Sequence, residues 1–148
     1  MSKSRVAITA GAVFLSAALA VSLFSSQQSK PLTTEQVLTW DCETAQYKPD
    51  RITITCADGG VFVAKIQWSS WSIEGATGTG IYSENLCEPN CAEGQRVTEP
   101  VKLTLSNLTE YKGKFSLRTI DISTQNGKDF PWGRAGTFQW DLTNLAKD

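Results

Sequence analysis

The stretch Arg51-Ile52-Thr53-Ile54-Thr55-Cys56-Ala57-Asp58-Gly59-Gly60-Val61-Phe62-Val63-Ala64-Lys65-Ile66-Gln67-Trp68 decides the fold. Ile52, Ile54 and Cys56 alternate with Arg51, Thr53 and Thr55, a period of two in residues rich in β-branching, which predicts a half-buried strand. Asp58-Gly59-Gly60 supplies the chemistry of a tight turn. Alternation then resumes with Phe62, Ala64, Ile66 and Trp68 on one face. A β-hairpin is expected.

The same alternation recurs downstream. Val101, Leu103 and Leu105 alternate with Lys102, Thr104 and Ser106, and beyond a turn at Tyr111-Lys112-Gly113 the residues Phe115, Leu117 and Thr119 alternate with Ser116, Arg118 and Ile120. This reads as a second hairpin. Asn126-Gly127 is a further turn signal, Phe130-Pro131-Trp132-Gly133 is irregular, and Phe138, Trp140 and Leu142 mark a final short strand. No apolar stripe of period 3.6 runs through this region. The expected fold class is therefore all-β, a small disulfide-stabilised sandwich or barrel behind an N-terminal hydrophobic helix.

That helix is expected because Lys3 and Arg5 precede an uncharged apolar run over residues 6 to 24, with polar residues at 25 to 29. At about 1.5 Å per residue the run extends roughly 29 Å as a helix, near the ~30 Å of a bilayer core. It reads either as a signal peptide, with Ala18-Leu19-Ala20 as the cleavage site, or as a retained single-span anchor. Both readings place the body outside the cytoplasm, extracellular or on the outer face of the cytoplasmic membrane, because the basic end stays inside. No cysteine stands close enough behind the run for lipid attachment. The expected organisation is residues 1 to 29 for export or anchoring, 30 to 37 as linker with at most one helical turn opened by Thr34, and 38 to 148 as the β domain.

The chain has 148 residues with 14 basic and 15 acidic side chains and no histidine. Length allows one folded domain. With Lys3 and Arg5 set aside, 12 basic residues face 15 acidic ones over residues 30 to 148, so there is no basic footprint for nucleic acid. The absence of histidine removes Ser-His-Asp and Cys-His catalysis and a His-ligated zinc site. Four cysteines in an exported chain suggest two disulfides with three possible connectivities, of which the local pairing Cys42 with Cys56 and Cys87 with Cys91 is expected. Half a zinc site in Cys87-Glu88-Pro89-Asn90-Cys91 would lack its remaining ligands, and the C-x-x-x-C spacing is not that of a dithiol oxidoreductase. No cofactor and no metal are expected.

Residues 75 to 80, Gly-Ala-Thr-Gly-Thr-Gly, lack the Gly-Lys-Ser/Thr ending of a phosphate loop and read as a bend or bulge in a strand. Residues 85 to 94 form a long polar loop holding two cysteines and Pro89, and loops of that length are often functional. Around it Glu84, Glu88 and Glu93 are solvated charge, or, for Glu84 or Glu88, the carboxylate of a small hydrolase. Of the five tryptophans, Trp68 and Trp140 are expected in the core. Trp71 and Trp132 lie in irregular stretches; three positions on from Trp68 in a continuous strand, Trp71 should point outward.

Taken in order, Ile54-Thr55-Cys56-Ala57-Asp58-Gly59, Trp68-Ser69-Ser70-Trp71, Ala76-Thr77-Gly78-Thr79-Gly80, Asn85-x-Cys87-x-Pro89-x-Cys91-Ala92-x-Gly94 and Pro100-Val101 resemble small exported actinobacterial proteins of uncharacterised function. The resemblance covers about residues 52 to 101 and implies export and a small cysteine-stabilised domain. Ser72 departs from it, standing where glycine is expected. No activity, cofactor or catalytic residue comes with it. The functional expectation is a non-catalytic domain at the cell envelope that binds a wall polymer or an extracellular protein through the loop side of residues 69 to 96, with Trp71, Gly78, Glu88 and Asn90 as binding residues. The competing expectations are a secreted enzyme inhibitor presenting the Cys87–Cys91 loop and, behind it, a small hydrolase.

Overall fold

A computed structural model describes residues 30 to 142, of which those from Pro31 onward belong to one compact unit. The expected N-terminal hydrophobic helix lies outside the described residues. One 3-10 turn, Thr34–Gln36, opens this part of the chain, and Thr33 and Gln36 cap it reciprocally: the Thr33 backbone N–H donates to Gln36 Oε1 at 2.9 Å. Val37, next in the chain, is fully buried.

Eight strands carry the rest: β1 (Leu38–Asp41), β2 (Thr44–Gln46), β3 (Arg51–Thr53), β4 (Val61–Trp71), β5 (Ala76–Asn85), β6 (Arg96–Tyr111), β7 (Lys114–Thr124) and β8 (Thr137–Asp141). They form one sheet in the order β2-β1-β7-β6-β5-β4-β3, with β8 pairing on β7. Every pairing is antiparallel except that of β1 with β7. The sheet curls into a half-barrel. Its margins approach where Asp41 Oδ1 accepts a hydrogen bond from the Thr53 backbone N–H at 2.8 Å and where Cys42 is bonded to Cys56. The domain is thus all-β, and the sandwich-or-barrel expectation resolves to a single curled sheet.

The hairpin signals sit where turns form. Asp58 Oδ1 accepts from Gly60 N–H and from the Thr55 hydroxyl, both at 2.8 Å, and Gly59 takes a φ of 61° that glycine adopts without cost. Lys112 and Gly113, at φ 49° and 71°, make the two-residue turn between β6 and β7 whose twist suits the flanking strands. Two alternating runs face as their period demands: Ile52, Ile54, Val101, Leu103 and Leu105 are buried. In β7 the alternation is corrected, since Ser116, Ile120 and Ile122 are buried along with Leu117 while Phe115, expected on the face of Leu117, is exposed. Cys56, expected inward with Ile52 and Ile54, is half-buried because β3 ends at Thr53.

Two β-bulges change the reading of β4. Its pairing with β5 slips once between Ala64 and Gln67 and again between Trp68 and Ser70, and Lys65 at the first slip has a φ of 54°. Each extra residue reverses which parity faces inward. Val63, Ile66, Trp68 and Trp71 consequently point into the half-barrel, whereas Phe62 and Ala64, expected on the same face as Ile66, lie on its outer side. Trp71 is 8% exposed, which corrects the expectation that it points outward. Trp140 is corrected in the other direction. It is 36% exposed, because β8 lies at a margin of the sheet with no strand beyond it among the described residues.

Candidate functional site

The four residues expected to bind do not come together. Trp71 pairs with Ala76 at the start of β5 and Gly78 pairs with Trp68, while Glu88 and Asn90 lie in the loop that leaves the other end of β5 after Asn85. The seven residue-to-residue steps from Gly78 to Asn85 span about 23 Å of strand.

Trp71 and Gly78 are parts of one packing unit. The Trp71 indole N–H donates to the Val37 carbonyl at 2.8 Å and that of Trp68 to the Pro49 carbonyl at 2.8 Å, so both polar handles are spent inside the domain. Opposite them the inward positions of β5 are Ala76, Gly78 and Gly80. A Cβ on Gly78 would come within 3.0 Å of the Trp68 ring and 2.8 Å of the Gln67 carbonyl, and one on Gly80 within 2.7 Å of Val63 Cγ1. Small residues on β5 therefore make room for large ones on β4, and the segment is no open strip. Ser69 and Ser70, on the solvent side of the second bulge, both reach the Thr77 hydroxyl, at 2.9 and 2.7 Å.

Residues 86 to 95 form the projecting feature. The Cys87–Cys91 disulfide closes a ring whose Cα atoms are 3.9 Å apart, with the Glu88–Pro89 peptide cis. Asn85 clamps its base: Oδ1 accepts from Cys87 N–H at 3.0 Å and Nδ2 donates to the Cys91 carbonyl at 2.8 Å. Asn90 ties its tip. Its Oδ1 accepts from the N–H groups of Ala92 and Glu93 at 3.0 and 3.1 Å, and its Nδ2 donates to Glu93 Oε2 at 2.9 Å. Gly94 has room for no side chain, since a Cβ would fall 2.8 Å from the Asn90 carbonyl and 2.9 Å from Cys87 Cα. Glu88, Pro89 and Asn90 are exposed on this frame.

The acidic residue next to the loop has a different occupation. Glu84 Oε2 accepts from the Tyr82 hydroxyl at 3.0 Å, the Trp132 indole at 2.9 Å and Arg134 Nε at 2.8 Å, and its Oε1 bonds Arg134 Nη2. Burial works to raise the Glu84 pKa, but the hydrogen bonds from Arg134, Trp132 and Tyr82 outweigh it and hold the carboxyl below its usual value. Burial, and then the Glu84 charge, push the Tyr82 hydroxyl well above its ordinary value. A general acid for glycoside hydrolysis needs a raised carboxyl pKa and a free proton to give. Glu84 is held in the opposite state and serves instead to anchor the connection between β7 and β8, whose Phe130 plugs the half-barrel against Tyr82 with ring centroids 4.9 Å apart.

Sequence reasoning missed Asn85, Gly94, Trp132 and Arg134 as organising residues. Asn85 two positions before Cys87 is an Asx-turn spacing and was readable; Arg134 stands 50 positions from Glu84, and nothing local announces that pairing. The two intramolecular disulfides suit an oxidising compartment. Compared with known proteins, the chain matches no family model, no curated protein and no solved structure.

Proposed function

We infer that this is a non-catalytic exported domain at the cell envelope, which binds a wall polymer or a partner protein through the loop of residues 86 to 95. One observation carries the reading: the loop is exposed yet held by a disulfide and by the Asn85 and Asn90 hydrogen bonds. A segment already fixed in one conformation loses little entropy when a partner covers it, so modest contact area gives useful affinity. Lys3 and Arg5 ahead of the apolar run at residues 6 to 24 support export, and the disulfides support an extracellular destination. With Trp71 and Gly78 in the core, the surface expected over residues 69 to 96 narrows to this loop.

The test is recovery of purified domain on isolated cell wall and on immobilised envelope proteins, comparing wild type with Glu88→Ala. Glu88 is exposed, so the variant should keep its melting temperature while recovery falls severalfold. Equal recovery of the two proteins on both supports overturns the loop as the contact. The same preformed ring also favours an inhibitor of a secreted hydrolase. Retention on such an enzyme, with loss of its activity that Glu88→Ala relieves, assigns that role instead.

A further inference from the structure

On the outer face of β4, β5 and β6 the first bulge opens a pocket of about 260 Å³ lined by Lys65, Gln67, Thr79, Gly80, Ile81, Pro100 and Gln125. Strand pairing fixes its layout. Gln67, Thr79 and Lys102 lie side by side in one row across the three strands, and Ile81 and Pro100 lie in the next row. Lys65 emerges at the bulge beside both rows. The pocket thus has Ile81 and Pro100 as its apolar part, Lys65 in its wall, and the amides of Gln67 and Gln125 and the Thr79 hydroxyl around it, while Lys102 stands on the next strand across from Thr79, outside the lining.

Its polar groups are unspent. Among the described residues none of the Lys65, Gln67, Thr79, Lys102 and Gln125 side chains takes part in a hydrogen bond or ion pair, and all five are exposed. Elsewhere the domain uses its charge internally: Arg118 pairs with Asp141 at 2.7 Å and Arg134 with Glu84. The same outer face carries two further cations, Arg51 and Arg96, whose guanidinium carbons lie 3.6 and 5.0 Å from the Phe62 ring centroid. Of the acids nearby, Asp58 is bound into its own turn, Asp121 accepts from Gln139 Nε2 at 2.9 Å, and Asp50, whose carbonyl accepts from the Ile66 N–H, is exposed beside the bulge. A chain with a net negative charge therefore carries a locally cationic face around a small pocket.

We propose that this pocket binds a sugar acid, a small hydroxylated carboxylate. The carboxylate is held between Lys65 and Lys102, the ring lies on Ile81 and Pro100, and the amides of Gln67 and Gln125 with the Thr79 hydroxyl exchange hydrogen bonds with ring hydroxyls. Amides and hydroxyls both donate and accept, as sugar hydroxyls do, and lysine supplies the charge as a compact donor. The volume lies just under the ~300–1,000 Å³ of sites for drug-sized ligands, which suits a single sugar unit. The site does not involve residues 86 to 95, so it is independent of the loop reading.

The experiment is a titration of the isotopically labelled protein with glucuronate, monitored by amide chemical shifts, with methyl glucoside and glucose 6-phosphate as separate arms. Glucuronate should give saturable shifts confined to residues around Lys65, Thr79, Ile81 and Gln125, and methyl glucoside none. Lys65→Gln and Lys102→Gln, each with shifts elsewhere unchanged as a check of folding, should each weaken binding about fivefold or more, and 0.5 M salt should weaken it similarly. Glu88→Ala should bind glucuronate as wild type does, which separates failure here from failure of the loop reading. The absence of saturable shifts, shifts scattered over the surface, an equal response to glucose 6-phosphate, or indifference to both lysine variants overturns the assignment.

Discussion

Trp68 and Trp71 meet edge to face on the inner side of β4, with ring centroids 4.8 Å apart and planes at 84°. Tyr47 adds a third ring, 5.7 Å from Trp71. Deleting the Trp71 side chain removes this packing and orphans the Val37 carbonyl. Trp71→Ala is expected to cost about 3–5 kcal/mol in urea unfolding at neutral pH. A cost below about 1 kcal/mol would show that the ring contributes little to the core.

Gly78 faces the same pair of rings. Gly78→Val should destabilise by several kcal/mol, since even a Cβ there meets the Trp68 ring at 3.0 Å and the Gln67 carbonyl at 2.8 Å. Gly113→Asn, at a φ of 71° with open space around its Cα, should be nearly neutral. Thermal melts of the two variants decide between a packing constraint at Gly78 and a general intolerance of glycine replacement.

Much of the fold was legible because alternation and turn chemistry are local signals. Ile52, Ile54, Val101, Leu103 and Leu105 face inward as alternation requires, the turn residues Asp58, Gly59, Lys112 and Gly113 sit in turns, and the cysteines pair with their nearest partners. Parity failed at Trp71 because a bulge adds one residue without leaving a distinctive composition: Lys65 and Ser69 look like ordinary strand residues. The candidate site was legible only as a loop. Glu88 and Asn90 lie in it, but the bonds that hold it come from Asn85 as well as Asn90, its close turn needs Gly94, and the Glu84–Arg134 contact joins segments that no short window includes.

Acid should unfold the protein partly through Glu84. A carboxyl whose pKa is depressed in the folded state stabilises above its unfolded value, about 4.5, and that contribution is lost as pH falls through the folded value. Asp58 shifts in the same direction and is retained in a Glu84→Gln variant, so the difference between the two proteins isolates Glu84. At pH 7 the variant should be less stable by about 1–2 kcal/mol, since Arg134 remains partly solvated when its partner is lost. As pH falls below about 4.5 and through the lower folded-state value the gap should close. A constant gap across that range would mean that the charge of Glu84 is not what matters.

The two disulfides should differ in weight. Cys42–Cys56 spans 14 positions and Cys87–Cys91 spans 4, which in the chain-entropy model corresponds to about 3 and about 2 kcal/mol. Cys56 also sits half-buried at the sheet margin. Thermal melts should therefore place the Cys42→Ser/Cys56→Ser double variant below Cys87→Ser/Cys91→Ser. The reverse order would show that the small ring carries more of the fold than its separation implies.

The parallel pairing of β1 with β7 has a consequence for the order in which the chain is completed. β1 belongs to the first third of the protein, yet its in-sheet partner lies far downstream: Thr39 Oγ1 donates to the Leu117 carbonyl across a separation of 78 residues. A chain emerging N-terminus first exposes β1 well before β7 exists to receive it. Cys56 arrives only 14 positions after Cys42. The cross-link can thus gather β1, β2 and β3 into a parked hairpin assembly while the rest is still being made, keeping the waiting strand edge away from neighbouring chains until Leu117 appears. Cys42–Cys56 then acts in time as well as in space, as a holding clasp for a strand born early.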